Sequence, residues 1–165
     1  MRSATPETTF DVFADQWHLF VRTNRLPSPV ARLKLDPSPA PELIVIGISS
    51  HVHPHRLCWS LNNAMGLELS RRADLVDTLS GHEARFAAFE QTVPPDGYKW
   101  CLVNNHGPTG ILLKEQRHAD YFLVLDPVLA EDRPDLLDSV RQAAFVLTAF
   151  DVPYRTLRFG HKLLL

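Results

Sequence analysis

The sequence has only two cysteines, no excess of charge of either sign, and no apolar run long enough to cross a bilayer. Each absence removes a class of protein. Cys58 and Cys101 are far apart, and each sits beside a tryptophan in an apolar stretch, as Cys58-Trp59 and Trp100-Cys101. They read as buried free thiols, which behave as small hydrophobes and suit a reducing compartment, and not as a disulfide framework. The longest apolar runs, such as Leu43 to Ile48 and Tyr121 to Leu125, fall well short of the roughly 18 to 20 residues of a membrane span. The N-terminus carries an arginine but not the continuous apolar core of a signal peptide, so the expected location is the cytoplasm, with no membrane partner. With 17 Lys+Arg against 19 Asp+Glu the net charge is −2, whereas a dedicated nucleic-acid binder advertises a basic stripe and a high pI. Nucleic acid is not indicated. Also missing are a Gly-x-Ser-x-Gly elbow, a Walker or Gly-x-Gly-x-x-Gly phosphate loop, a Cys-x-x-Cys pair and a His-Glu-x-x-His helix.

What is present is the material of one ordinary domain. A chain of 165 residues buries roughly 70% of its unfolded surface without staples. Its 45% apolar and 22% charged residues match a globular protein and not a disordered one. Thirteen prolines stiffen the N-terminal part and the turns, and eight histidines place any pH response near imidazole titration.

Residues 1–29 read as an appendage in which Phe10, Phe13, Trp17 and Phe20 recur at helical spacing before prolines interrupt the pattern. This amphipathic helix either packs on the same domain or docks into a partner or second subunit. Residues 30–165 read as a single α+β domain. Ala31 to Asp36 alternates as a half-buried strand, and Leu43 to Ile48 follows as a buried one. A helix then carries Leu57, Cys58, Leu61, Ala64 and Met65 on one face, with Gly66 at the left-handed cap position and Arg56 and Asn62 pointing away from the core. Ala84 to Thr92 and Lys99 to Asn104 read as strands joined by a turn at Pro94-Pro95-Asp96-Gly97, and Ile111 to Leu113 begins a short strand before Tyr121 to Leu125. Pro134 opens a last helix with Leu137, Val140, Ala144, Leu147 and Ala149 on its apolar side, stopped by Pro153. The expectation is a mainly antiparallel sheet of about five strands with helices packed on one face, an order similar to longin-like and profilin-like folds.

The stretches Ile46-Gly-Ile-Ser-Ser-His51, Arg56-Leu-Cys-Trp59, Leu61-Asn62 and Ala119-Asp-Tyr-Phe122 resemble the bacterial IPExxxVD family from about Arg32 to the C-terminus. The motif that names the family is degenerate here. Leu113, Lys114 and Glu115 stand where it has Ile-Pro-Glu, Ala119-Asp120 stands where it has Val-Asp, and Glu115 and Asp120 are the retained acidic pair. The resemblance implies a small cytosolic bacterial protein and a fold unit, but no reaction, because the family's activity is unknown. It singles out His51, Arg56, Trp59, Asn62, Glu115 and Asp120 as motif or binding positions.

His51-Val52-His53-Pro54-His55 is the chemically loudest stretch, since histidines alternating on an extended segment can present two imidazoles to a cation. A catalytic zinc needs three protein ligands, and His51, His53 and His55 have no companion motif, so no metal or other cofactor is assigned. Glu115 and Asp120 invite general acid/base work, or serve only to fix a loop and a turn. Arg56 could clamp either carboxylate, or the trio could hold a small anion or peptide terminus. Ser49, Ser50 and Cys58 are nucleophile candidates without a recognisable base. Three functional classes follow. The favoured one is a non-catalytic protein-interaction or adaptor module with an unknown partner or self-association. The second is a small metal- or carboxylate-dependent hydrolase built on His51, Arg56, Glu115 and Asp120, and the third an RNA-associated protein using Tyr98-Lys99-Trp100 and Tyr154 to Arg158.

Overall fold

The computed structural model describes residues 42–79 and 82–164. The expected helix bearing Phe10, Phe13, Trp17 and Phe20, the boundary at residue 30 and the strand over Ala31 to Asp36 lie outside the described residues. The remainder is an α+β fold. Strands β1 (Ile44–Ser49), β2 (Ser70–Arg71), β5 (Ala88–Val93), β6 (Tyr98–Asn104), β9 (Tyr121–Leu125) and β10 (Thr148–Asp151) form a six-stranded sheet in the order β10-β1-β9-β6-β5-β2. Every neighbouring pair in it is antiparallel. Two smaller antiparallel pairs stand apart from it, β3 (Leu75–Leu79) with β4 (His82–Phe86), and β7 (His106–Gly107) with β8 (Gly110–Ile111). The helices are α1 (Pro54–Met65), a single turn α2 (Val128–Glu131) and α3 (Leu136–Gln142).

Alternation along the strands sends side chains to two faces, and both are covered. Ile46, Ile48, Trp100, Leu102, Leu123 and Leu125 pack against Leu57, Leu61 and Met65 of α1 and Leu136 and Val140 of α3. Val45, Cys101, Val103, Phe122 and Val124 meet Phe86, Leu112, Leu113 and the C-terminal residues Val152, Leu157 and Leu163. This explains why β9 reads Tyr-Phe-Leu-Val-Leu without polar breaks: all five residues are buried, because neither face of the sheet at that position sees water.

Three expectations need correction. Ala84 to Thr92 is not one strand, because the chain leaves the pattern at Ala87, and the residues before it pair with β3 while those after it pair with β6. The last helix ends at Gln142, and Ala149 belongs instead to edge strand β10, which pairs with β1. On α1, Ala64 is exposed, and Ser60 takes the buried position expected of it. The turn between β5 and β6 forms as expected, with Gly97 at φ 76°, and Gly66 caps α1 at φ 66°, its N–H donating to the Asn62 carbonyl.

Candidate functional site

Helix α1 starts at Pro54, whose fixed φ suits the first helical position, directly after the end of β1. The intervening residues are pinned from the start of β9. The Asp120 carboxylate accepts the Ser49 hydroxyl at 3.0 Å and the Ser50 N–H at 2.8 Å, and the Tyr121 hydroxyl donates to the Val52 carbonyl at 2.6 Å. Burial, with the neighbouring Asp120 carboxylate second, pushes the Tyr121 phenol up to about 12, so it stays a donor at neutral pH.

Two serines carry this order to the turn after α3. Ser50 Oγ donates to the Phe145 carbonyl at 2.8 Å, and Ser60 Oγ donates to the Ala144 carbonyl at 2.6 Å. Phe145 holds φ 69° and is the only non-glycine residue with positive φ among the described residues. For a bulky L residue this conformation costs about 1–2 kcal/mol, so it persists only because the surroundings impose it. Its ring lies at the surface beneath Arg56, whose guanidinium carbon is 4.3 Å from the ring centroid. One helical turn on from Arg56, Trp59 is 62% exposed, and two residues on from Phe145, Leu147 is also 62% exposed, with its N–H fixed on the Ser49 carbonyl. Arg56 and Phe145 are thus in contact at the surface, with exposed Trp59 one helical turn further along α1 and exposed Leu147 two residues further along the turn.

The other expected positions have different neighbours. His51 is exposed, and His53 and His55 stack on each other at 5.4 Å, with His55 edge-on to Phe89 at 5.1 Å. Asn62 is a structural clasp, its amide meeting both the N–H and the carbonyl of Leu69 at 3.0 Å. Glu115 accepts the Phe159 N–H at 3.2 Å and so ties the loop before β9 to the C-terminal segment, while Asp120 holds the end of β1. The acidic pair therefore serves different elements, and Arg56 stacks on Phe145 in place of clamping either carboxylate. Among the described residues, no three His, Cys, Asp or Glu side chains cluster closely enough to hold a metal ion.

The two thiols are protonated at neutral pH. Burial pushes Cys58 up to about 11, and burial followed by the Glu90 carboxylate pushes Cys101 up to about 12. Trp100 is a core residue and Lys99 is paired with Glu90 at 3.4 Å, so that stretch presents no ready base-stacking platform. Two shallow clefts, of about 190 and 330 Å³, lie around Leu43 at the opposite end of β1 from Ser49, and none of the motif positions lines them. Sequence reasoning missed Phe145 and Leu147, which it placed in or beside a helix. No local signal marked the turn, for it contains neither glycine nor asparagine. No family model matches the chain, no curated protein matches it, and no solved structure matches it.

Proposed function

We propose that this chain is a non-catalytic protein-interaction module that binds through Trp59, Phe145 and Leu147. One observation supports this above the others: three large apolar side chains stand exposed on α1 and the turn after α3 in a domain whose sheet is covered on both faces. Trp59 is the anchor of the reading, since tryptophans at the centre of a contact dominate binding energy. The free, buried state of both cysteines supports operation in a reducing compartment such as the cytoplasm. Membership of the IPExxxVD family is part of the proposal and rests on the residues quoted for the resemblance.

The test is a peptide-display selection on the purified full chain, with the selected peptides titrated against wild type and Trp59→Ala. The expected loss on truncating a central tryptophan is about 30-fold or more in affinity, with an unchanged unfolding midpoint because the side chain is mostly solvated. Binders that ignore Trp59→Ala, or a variant that unfolds several kcal/mol more easily, would return Trp59 to a structural role.

A further inference from the structure

The exposed surface has a chemical bias that its apolar members do not explain. The chain as a whole has slightly more acidic than basic residues, yet no Asp or Glu occurs between Leu43 and Leu67, nor between Ser139 and Phe150. These two segments supply Arg56, Trp59, Phe145 and Leu147, and the Asp120 carboxylate that reaches the end of β1 from the start of β9 is taken up by the Ser49 hydroxyl and the Ser50 N–H. Several basic side chains elsewhere are paired with carboxylates: Arg72 meets Glu90 at 2.6 Å, Arg141 meets Asp138 at 3.0 Å and Lys162 meets Asp77 at 2.5 Å. Arg56 has no carboxylate partner among the described residues, and its only charge-related contact is the face of the Phe145 ring.

Stacking on an aromatic ring fixes the plane of a guanidinium while leaving its edge N–H groups free to donate, the arrangement suited to a planar bidentate carboxylate. Resting on the reading of this surface as a protein-binding site, we infer that the partner is an acidic segment of another protein. One of its carboxylates pairs with Arg56 above Phe145, and an adjoining bulky apolar side chain lies on Trp59 and Leu147. A nucleic acid fits less well, because its backbone is followed by several cations at phosphate spacing, whereas Arg56 is the only Lys or Arg between Leu43 and Leu67 and Arg141 is paired with Asp138. The positive φ at Phe145 gains a purpose in this scheme, since it turns the ring outward to form the floor on which Arg56 lies.

The experiment uses a random peptide library displayed against the full chain at low salt, followed by fluorescence anisotropy of the strongest binder with wild type, Trp59→Ala, Arg56→Ala and Arg56→Lys. Circular dichroism confirms that each variant is folded. The inference expects Asp or Glu beside a bulky apolar residue in the selected peptides, and a loss of about tenfold or more for Arg56→Ala, as for removal of one charge-assisted contact. Arg56→Lys should recover only part of it, because lysine keeps the charge but lacks the planar fork, and affinity should fall as salt is raised. Binders that need Trp59 but ignore Arg56 and salt overturn the acidic partner and leave the interaction reading standing. An absence of any Trp59-dependent binder overturns both. A single-stranded oligonucleotide that displaces the peptide, or a dimer that Trp59→Ala dissolves in native mass spectrometry, assigns the surface to nucleic acid or to a second copy of this chain and overturns the acidic segment.

Discussion

Replacing Asn105 by alanine should destabilise the domain more than any single surface change, and the size of the effect follows from what its side chain holds. Asn105 is fully buried, with 0% exposure, immediately after β6. Its Nδ2 donates to the Gln116 carbonyl at 3.0 Å and to the Ala119 carbonyl at 2.8 Å, and its Oδ1 accepts the Leu113 N–H at 2.8 Å. One amide therefore satisfies three main-chain groups across the loop that brings Leu112, Leu113 and Ala119 into the core. Asn105→Ala leaves all three without that partner. At about 1–3 kcal/mol for each buried group left unpaired, and with water entering the vacated space to recover part of it, the expected loss is about 3 kcal/mol. That is a large share of the roughly 5–15 kcal/mol by which a domain is stable. In urea titration followed by circular dichroism, a slope of about 2 kcal/mol per molar translates this loss into a midpoint lower by about 1.5 M. Asn105→Asp is the sharper probe. It is nearly isosteric, but at neutral pH it would point a carboxylate oxygen at two carbonyls and should cost more than alanine. The gap should narrow on acidification, because a protonated carboxyl regains one donor. A loss under about 1 kcal/mol for Asn105→Ala with an unchanged slope, or an Asp variant as stable as wild type at neutral pH, would refute the role of this amide as the clasp of the loop.

Two further outcomes follow from groups already described. Phe145→Gly relieves a backbone cost of about 1–2 kcal/mol but gives up ring contacts and gains chain entropy in the unfolded state, so stability should stay within about 1 kcal/mol of wild type. Phe145→Val keeps the unfavourable φ with a β-branched side chain and should be clearly worse; equal midpoints for the two variants in thermal unfolding would count against the left-handed geometry. At alkaline pH, Cys58 and Cys101 are raised in the folded state from an ordinary 9.0 to about 11 and about 12, and Tyr121 from 10.0 to about 12. The fold retains protons that the unfolded chain releases, so this contribution to stability is complete below about pH 9 and lost as pH rises towards 12, at about 1.4 kcal/mol per pH unit for each group then engaged. Urea midpoints measured from pH 8 to 11 should decline progressively, with the thiols acting first and Tyr121 adding above pH 10; a flat profile over that range is inconsistent with buried thiols.

Much of the fold could be read from local pattern, and where the reading stopped the reason was long-range pairing. Strand β1, the Pro94 to Gly97 turn, the face of α1 defined by Leu57, Leu61 and Met65, and the Gly66 cap all depend on residues within a few positions of each other. The break at Ala87 does not, because alternation on either side looks alike and only the partner strands differ. Residues 143–151 mislead for the same reason: Ala144, Leu147 and Ala149 fit helical spacing, but the backbone reverses at Phe145 and the chain instead completes the sheet against Ile46 to Ser49. The surface proposed for binding was half legible. Arg56 and Trp59 stood out, whereas the turn bearing Phe145 and Leu147 is held by serine hydroxyls that donate to the Ala144 and Phe145 carbonyls across sequence separations of 84 and 95 residues. The expected clamp of Arg56 with Glu115 and Asp120 did not form, since Glu115 lies with the layer on the opposite side of the sheet from α1.

Three of the positions singled out in the sequence, Ser50, Arg56 and Asp120, act on one small piece of backbone. Asp120 fixes the Ser50 N–H, Ser50 fixes the Phe145 carbonyl, and Arg56 covers the Phe145 ring, so the end of β1, the start of β9 and the first turn of α1 converge on a turn that none of them adjoins in sequence. A glycine at position 145 would let the same turn form without the conformational cost, and burying the phenylalanine would add stability in the usual way. The chain does neither. It uses two serine hydroxyls, each a modest contributor of about 1 kcal/mol, to hold an apolar ring where it is 37% exposed. Local choices that work against stability concentrate at functional sites. That is the physical reason for seeking this protein's role at Phe145 and the Arg56 that covers it, and not at Glu115 and Asp120, whose hydrogen bonds hold separate elements of the fold.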